Sequence, residues 1–330
     1  MSDIHRVAKE AGVSISTVSY VMSGKRSISE PTKQRVLEAV DRLGYRPNAR
    51  ASMLASGRTR LLALSQPFHR STHAPTYMTF ILETSLAARE HDYDVVLLAE
   101  QDAASAITRI TGSGLTEGTI ALDVAPDDER ASLAREGKSP MVFIGIPENA
   151  EGLICVDFDF ERAAAMAVAT MVGMGHKRLT LVGQPAIAYQ TSHFAKRARD
   201  SFLETAQALG VEATVIKTGE ASIDGLLAAE IEAGTTGLVS HCPDNDLFRA
   251  LRTVEDLGLR IPDDISFICV APNLDVSQLK PSLDSLPLRP KETCQAAVEL
   301  ALSALEGDVQ PGVRLIEPIY EPMGSVATKL

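Results

Sequence analysis

Residues 5–24 read HRVAKEAGVSISTVSYVMSG, and the spacing inside this stretch decides the fold of the head of the chain. Ile4, Val7, Ala8 and Ala11 recur at helical intervals, and Gly12 supplies the left-handed stop. Val13 and Ser14 complete a tight turn. Ser14 stands where it can cap a second helix from Ile15 to about Ser23, with Val18, Val21 and Met22 inward and Gly24 as its stop. Two helices joined by three residues meet the needs of a helix-turn-helix: small Ala8 at the crossing, Gly12 for positive φ and β-branched Val18 as a buried contact. Ser29 as cap, Pro31 in the first turn, the apolar set Val36, Leu37, Val40 and Leu43, and Gly44 as the stop predict a third helix that covers the other two.

Charge points the same way. Residues 1–60 hold 11 Lys and Arg against 5 Asp and Glu, while the rest of the 330-residue chain holds 21 against 38. A basic head on an acidic body is the layout of a protein whose small domain meets a polyanion. In a helix-turn-helix the second helix enters the major groove. Its outward Ile15, Ser16 and Tyr20 would meet base edges. Ser14, Thr17 and Ser19 allow close approach and bond phosphates, and Lys25 and Arg26 clamp the backbone.

The remaining composition bounds the alternatives. A hydrophobic content of 45% supports two or three cored domains. No signal-like apolar start and no run of about eighteen apolar residues is present, so a soluble cytoplasmic protein is expected. Cys155, Cys242, Cys269 and Cys294 lack CxxC spacing, and the seven histidines form no metal-ligating helix pair. No metal and no cofactor are expected. No GxGxxG follows a strand, and GxxxxGK[ST] and HExxH are missing, which opposes an enzyme.

HRVAKEAGVSISTVSYVMSG followed by TKQRVLEAVDRLGYRPNARASMLASGRT, residues 32–59, resembles the DNA-binding headpiece and hinge of the lac repressor family. The resemblance implies that Asn48 to Ala55, with Asn48 and Arg50 at the DNA, become helical on the operator, and that Leu54 is a minor-groove wedge. Eight residues are too few for a helix that persists alone in water, and an inserted wedge costs a few kcal/mol of unstacking that the bent complex offsets. Many members carry Arg where Tyr20 stands, so base preference at that position differs.

From Leu61 onward, apolar runs alternate with amphipathic helices. Strands are expected at Leu61 to Ser65, Asp94 to Ala99, Gly118 to Leu122, Met141 to Ile146, Arg178 to Val182, Val211 to Ile216, Gly237 to Ser240 and Ile265 to Val270, giving doubly wound parallel sheets. Segments such as GMGHKRLTLVG and KPSLDSLPL extend the resemblance over the body. It implies a periplasmic-binding-protein-like fold with three crossings, near Asp157, Ser285 and Ile319. The expected organisation is therefore an all-α headpiece (1–46), a hinge (47–60) and a two-lobed α/β body (61–330). Lobe 1 takes about 61–157 and 285–318; lobe 2 takes 158–284 and 319–330.

The resemblance also implies a repressor whose operator affinity is switched by a sugar, a mono- or oligosaccharide, in the cleft. A corepressor-dependent regulator and a transport solute-binding protein are the alternatives. Candidate effector residues are His73 and Pro75 in a loop like the corresponding one of the lac repressor family, then Tyr77 and Phe80. Lobe 2 offers Gln184, Tyr189, Phe194 and Arg197, with Arg199 as the rival to Arg197. Asp244 and Asn273 complete the set. Where relatives carry two acidic residues, Ala271 and Pro272 stand instead, which puts the ligand class in doubt. The partners implied are pseudo-palindromic double-stranded operator DNA and a second copy of the chain. A homodimer is expected because the terminal EPMGSVATKL has no Leu heptad.

Overall fold

The computed structural model describes residues 4–23, 26–45, 58–67, 74–100, 102–137, 139–219 and 223–329. The expectations placed on Lys25, Asn48, Arg50, Leu54 and His73 lie outside them. The chain divides into two units, Met1–Thr59 and Arg60–Leu330.

The first unit holds helices α1 (Ile4–Ala11), α2 (Ile15–Ser23) and α3 (Glu30–Leu43). Gly12 adopts φ +64° at the turn, a conformation that costs a side-chain-bearing residue about 1–2 kcal/mol. Ser14 caps α2, its Oγ accepting from the Thr17 amide at 3.1 Å. Val7, Ala8, Ala11, Val18, Val36 and Ala39 form the core. Two details depart from expectation. Leu37 is 42% exposed while Ala39 is buried, because Val36, Ala39, Val40 and Leu43 share one face and Leu37 lies about 100° from it. Ser29 makes no side-chain bond to the helix backbone; its hydroxyl donates to Thr32 Oγ1 instead.

The second unit is built on two parallel sheets. Strands β1 (Leu61–Ser65), β2 (Asp94–Leu98), β3 (Gly118–Ala121), β4 (Met141–Ile144), β5 (Ile154–Phe158) and β11 (Gly312–Ile316) form one, in the order β11-β5-β4-β3-β1-β2. Strands β6 (Arg178–Pro185), β7 (Glu212–Thr218), β8 (Gly237–Ser240), β9 (Ser266–Val270) and β10 (Asp284–Leu286) form the other, in the order β10-β9-β8-β6-β7. Successive side chains enter opposite layers: Leu62 and Leu64 join one core cluster and Ala63 another, as do Ile268 and Val270 against Phe267 and Cys269. Both faces are covered by helices, which is why these strands read as continuous apolar runs. Each fully buried Leu, Ile or Phe among them contributes about 2 kcal/mol.

β5, β10 and β11 were not expected as strands. β11 has exposed side chains along most of its length and β10 is three residues long, so neither shows an apolar run. The chain passes between the sheets after β5 and after β10, and after β11 it returns to the second sheet, where Glu321 bridges Ser285.

One buried carboxylate joins the last two of these passages. Asp284 accepts from the amides of Met323 and Ser325, each at 2.8 Å, and from the Tyr320 hydroxyl. Burial pushes its carboxyl up, but the Tyr320 hydroxyl and the two amides outweigh that and hold it below its ordinary value. Ionised Asp284 therefore stabilises the fold at neutral pH, and this contribution is lost as pH falls through the lowered value. Asp284→Asn is expected to cost about 2 kcal/mol at pH 7. The gap from the parent should narrow in denaturant titrations carried below the usual carboxylate range.

Candidate functional site

In the head, the outward face of α2 is formed by Ile15, Ser16, Ser19 and Tyr20, all exposed, with Ser14 exposed at the cap. Thr17 is half-buried and its hydroxyl shares a 2.9 Å bond with Ser14 Oγ, so it braces the helix start. Arg26 holds its guanidinium 5.8 Å from the centre of the Tyr20 ring. That contact aligns the aromatic ring and a cation on the helix face expected to meet DNA.

In the body, a cavity opens outside the carboxyl ends of the strands, where the order of both sheets reverses around β1 and β6. Lobe 1 contributes Thr76, Tyr77 and Phe80 from the helix Ala74–Glu90, Leu122 to Val124 after β3, and Asp157 in β5. Lobe 2 contributes Gln184 and Pro185 at the end of β6, His241 and Pro243 after β8, and Ala271 and Asn273 after β9. Ser192 and Phe194 flank the start of the helix His193–Ala208.

The floor on the lobe 1 side is braced by buried hydrogen bonds. Arg130, 2% exposed, donates two bonds to Asp128, at 2.9 and 2.7 Å, and one to the Asp123 carbonyl at 3.1 Å. Asp123 is held at φ +53°. Its Oδ1 accepts from Ser192 Oγ across the cleft at 2.6 Å. The Tyr77 hydroxyl bonds the same pair; burial, then the Asp123 carboxylate, push this phenol up, so it stays neutral and able to donate. Further bonds tie the lobes together: the His193 amide to the Val124 carbonyl at 2.9 Å, His193 Nδ1 with the Ile146 carbonyl at 2.6 Å, and Thr76 Oγ1 to Asn273 Oδ1 at 2.6 Å. Lys196 pairs with Glu148 beside them. The lobes are closed on one another.

On the lobe 2 side the wall is aromatic. Phe160 and Phe194 have ring centres 5.1 Å apart, and His241 lies 5.6 Å from the first and 5.7 Å from the second. Burial pushes the His241 imidazole down to about 4, so it is neutral at pH 7.

The cavity thus gathers Tyr77, Phe80, Gln184, Phe194 and Asn273 from the expected set, and leaves Pro75, Tyr189, Arg197 and Asp244 off its walls. Pro75 is exposed in the first turn of its helix. Tyr189 turns under β6, where its hydroxyl accepts from the Gln184 amide at 3.0 Å and occupies the space a Cβ on Gly183 would need. Arg197 is neutralised within the protein: it bonds Asp157 at 2.6 Å and Glu161 at 2.6 and 2.5 Å. Its rival Arg199 pairs with Asp200 and lies over the Tyr189 ring at 4.8 Å. Asp244 begins the helix after Pro243, and Pro243 takes the place at the wall. The residues that sequence reasoning passed over are Asp123, Asp157, Ser192 and His241. Asp123 and His241 each come just after a predicted strand, the signal that would have found them.

Residues 3–48 match the family described as bacterial regulatory proteins, lacI family, and residues 168–323 match the periplasmic binding protein-like domain. The head is a lacI-family domain, and the body carries a periplasmic binding protein-like domain. Among curated relatives, catabolite control protein A of Staphylococcus epidermidis is 25% identical over 291 residues, covering 86% of each chain. The HTH-type transcriptional regulator CelR of Thermobifida fusca is 25% identical over 333 residues, covering 95% of this chain and 94% of its own. The fold is shared with the lac repressor dimer bound to operator and the anti-inducer ONPF, with TM-score 0.81, 20% identity and 99% of both chains covered. A transcriptional regulator CelR–cellobiose complex superposes with TM-score 0.67 at 21% identity, covering 98% of this chain and 100% of the other.

Proposed function

We propose that this chain is an operator-binding transcriptional repressor whose DNA affinity is switched by a small ligand, a sugar, in the interlobe cleft. The observation that carries the reading is the Ser192–Asp123 bond across a cavity walled by both lobes. A ligand bound there contacts both lobes at once, so its binding energy differs between closed and open arrangements, which is what a switch requires. A sugar is preferred because the CelR neighbour is seen with cellobiose and because Asp123, Gln184 and Asn273 offer hydrogen-bonding groups beside aromatic faces.

In this reading residues 1–46 dock α2 in the major groove, residues 47–60 form the hinge with Leu54 as wedge, and residues 61–330 bind effector and partner chain. Ligand closure rotates the first lobes of a dimer against each other and separates the hinges, releasing DNA. No catalytic step is assigned, and the protein is assigned to the cytoplasm with its operator. No described helix is long and apolar enough to cross a membrane.

The test is a gel shift against DNA flanking the chain's own gene, with and without mono- and disaccharides. Specific binding that falls on adding a sugar supports the reading; no specific DNA at physiological salt overturns it. Tyr20→Ala is expected to relax base preference at one operator position by about 1–3 kcal/mol, whereas Arg26→Ala lowers affinity on all sequences and reduces the salt slope. Equal losses for Tyr20→Ala on operator and random DNA would remove it from the base readers.

Dimerisation is proposed through the helix Ala74–Glu90, on which Met78, Leu82 and Leu86 form an apolar stripe exposed by 51, 56 and 59%. Leu82→Glu is expected to yield monomers in sedimentation velocity and at least a tenfold loss of operator affinity, since two heads no longer bind together.

A further inference from the structure

Helix α2 reads ISTVSYVMS and carries no Lys, Arg, Asn, Gln, Asp or Glu. The side chains that single out a base by hydrogen bonding are Arg or Lys on guanine, Asn or Gln on adenine, and Glu or Asp on cytosine. This helix offers none of them. Its outward face consists of two i,i+4 pairs, Ile15 with Ser19 and Ser16 with Tyr20. The hydroxyls of Ser14 and Thr17 are bonded to each other at 2.9 Å at the helix start, and the Tyr20 ring lies against the Arg26 guanidinium. Ile15 is 40% exposed and belongs neither to the core of the head nor to the residues packed against that core. A β-branched residue is also a weaker helix former than Ala, Leu or Gln, so neither packing nor helix propensity accounts for an isoleucine there. Its place does match a base contact, because the N-terminal residues of a recognition helix meet the base edges. Ser16 and Ser19 beside it are small enough to let the helix lie close to the groove floor.

Resting on the operator-binding reading above, we propose that Ile15 reads thymine, and reads it through the C5-methyl group. Of the four bases only thymine presents a methyl in the major groove, and apolar side chains recognise it by contact. A branched side chain in a helix holds one strongly preferred χ1 rotamer, so Ile15 meets that methyl with little loss of freedom. Each half-site of the operator therefore carries a T·A pair opposite the first turn of α2. Burying one methyl against Ile15 contributes about fourfold in affinity per half-site, and about fifteenfold for a dimer on two half-sites. Tyr20 makes a separate contact one turn further along the helix.

The experiment selects duplexes bound by the full-length chain from a random DNA pool, with no sugar added, and then replaces each thymine of the selected half-sites in turn by deoxyuridine. Deoxyuridine keeps every hydrogen-bonding group of thymine and lacks only the methyl. One thymine per half-site is expected to respond, and its replacement in both half-sites weakens binding about fifteenfold in fluorescence anisotropy. Ile15→Ala should reduce this thymine-to-deoxyuridine ratio to below about twofold, whereas Tyr20→Ala leaves it at the parent level. Ile15→Val, which is shorter by one methylene, should give an intermediate ratio of about fivefold. If Ile15→Ala binds too weakly to measure, a parental ratio in Ile15→Val overturns the proposal. A purely structural role for Ile15 would lower affinity on both duplexes and leave the ratio unchanged, which also overturns it. So does the lack of any responding thymine, or a ratio that is lost in Tyr20→Ala and kept in Ile15→Ala. In each of these cases specific duplexes are still selected, so the operator reading stands. A pool that yields no specific duplex overturns that reading and the proposal with it.

Discussion

Val18→Asp is expected to abolish operator binding, with at least a hundredfold loss in gel shift, and to leave the thermal unfolding of residues 60–330 unchanged. Val18 is fully buried with five other small and medium apolar residues in the core of the head. A carboxylate there has no partner among them, and an isolated buried charge costs several kcal/mol. A domain of this size holds only about 3–5 kcal/mol of stability, so the head unfolds and α2 is lost. The body is a separate unit with its own sheets and cores, and a ligand-induced shift of its melting temperature should persist. A variant that loses DNA and ligand responses together would show that the two units do not fold independently.

Arg197→Met is expected to destabilise the body by about 3–5 kcal/mol, because it removes the partner of a buried carboxylate and strands the charge. At roughly 2–4 °C per kcal/mol for a domain of this order, calorimetry should read a fall of about 10 °C. The pH dependence follows from Asp157, which burial pushes up to about 6 even with Arg197 beside it. Its folded value lies above its ordinary one, so ionisation costs stability, in full above about pH 6, and the cost vanishes as pH falls below the ordinary carboxylate range. The Arg197→Met deficit should therefore be largest at neutral pH and shrink towards pH 4. Adding Asp157→Leu should recover much of it, since no stranded charge then remains. A deficit independent of pH would mean that lost packing of the long Arg side chain outweighs the ion pairs.

Arg197 also shows where reading residues from sequence stops. A guanidinium in a connection after a strand has the right chemistry to grip hydroxyls, and the expectation that it lines the cleft was reasonable by type. Two carboxylates, Asp157 from β5 and Glu161 from the start of the next helix, reach it first. Their approach depends on the passage between the lobes, which no local pattern encodes. Tyr189 failed similarly: its ring has the character of a sugar platform, but its hydroxyl is tied to the Gln184 amide beneath β6. By contrast Tyr77, Phe80 and Phe194 were legible, because each belongs to a helix start that follows a strand end, and such ends face the cleft in a doubly wound fold.

The head was determined almost entirely by local sequence. Gly12, the Ser14 cap and the spacing of Val7, Ala8 and Val18 act within a few residues of one another, so short-range sterics and helix periodicity suffice to specify two helices and their turn. The alternation of apolar runs in the body likewise announced parallel sheets. Only the tertiary structure decided which groups the cavity holds. It brought Asp123 against Ser192, 69 positions apart, and set His241 beside Phe160 and Phe194. Those contacts arise from strand order and from three passages between the lobes, long-range pairings in which each partner alone looks like an ordinary surface or core residue.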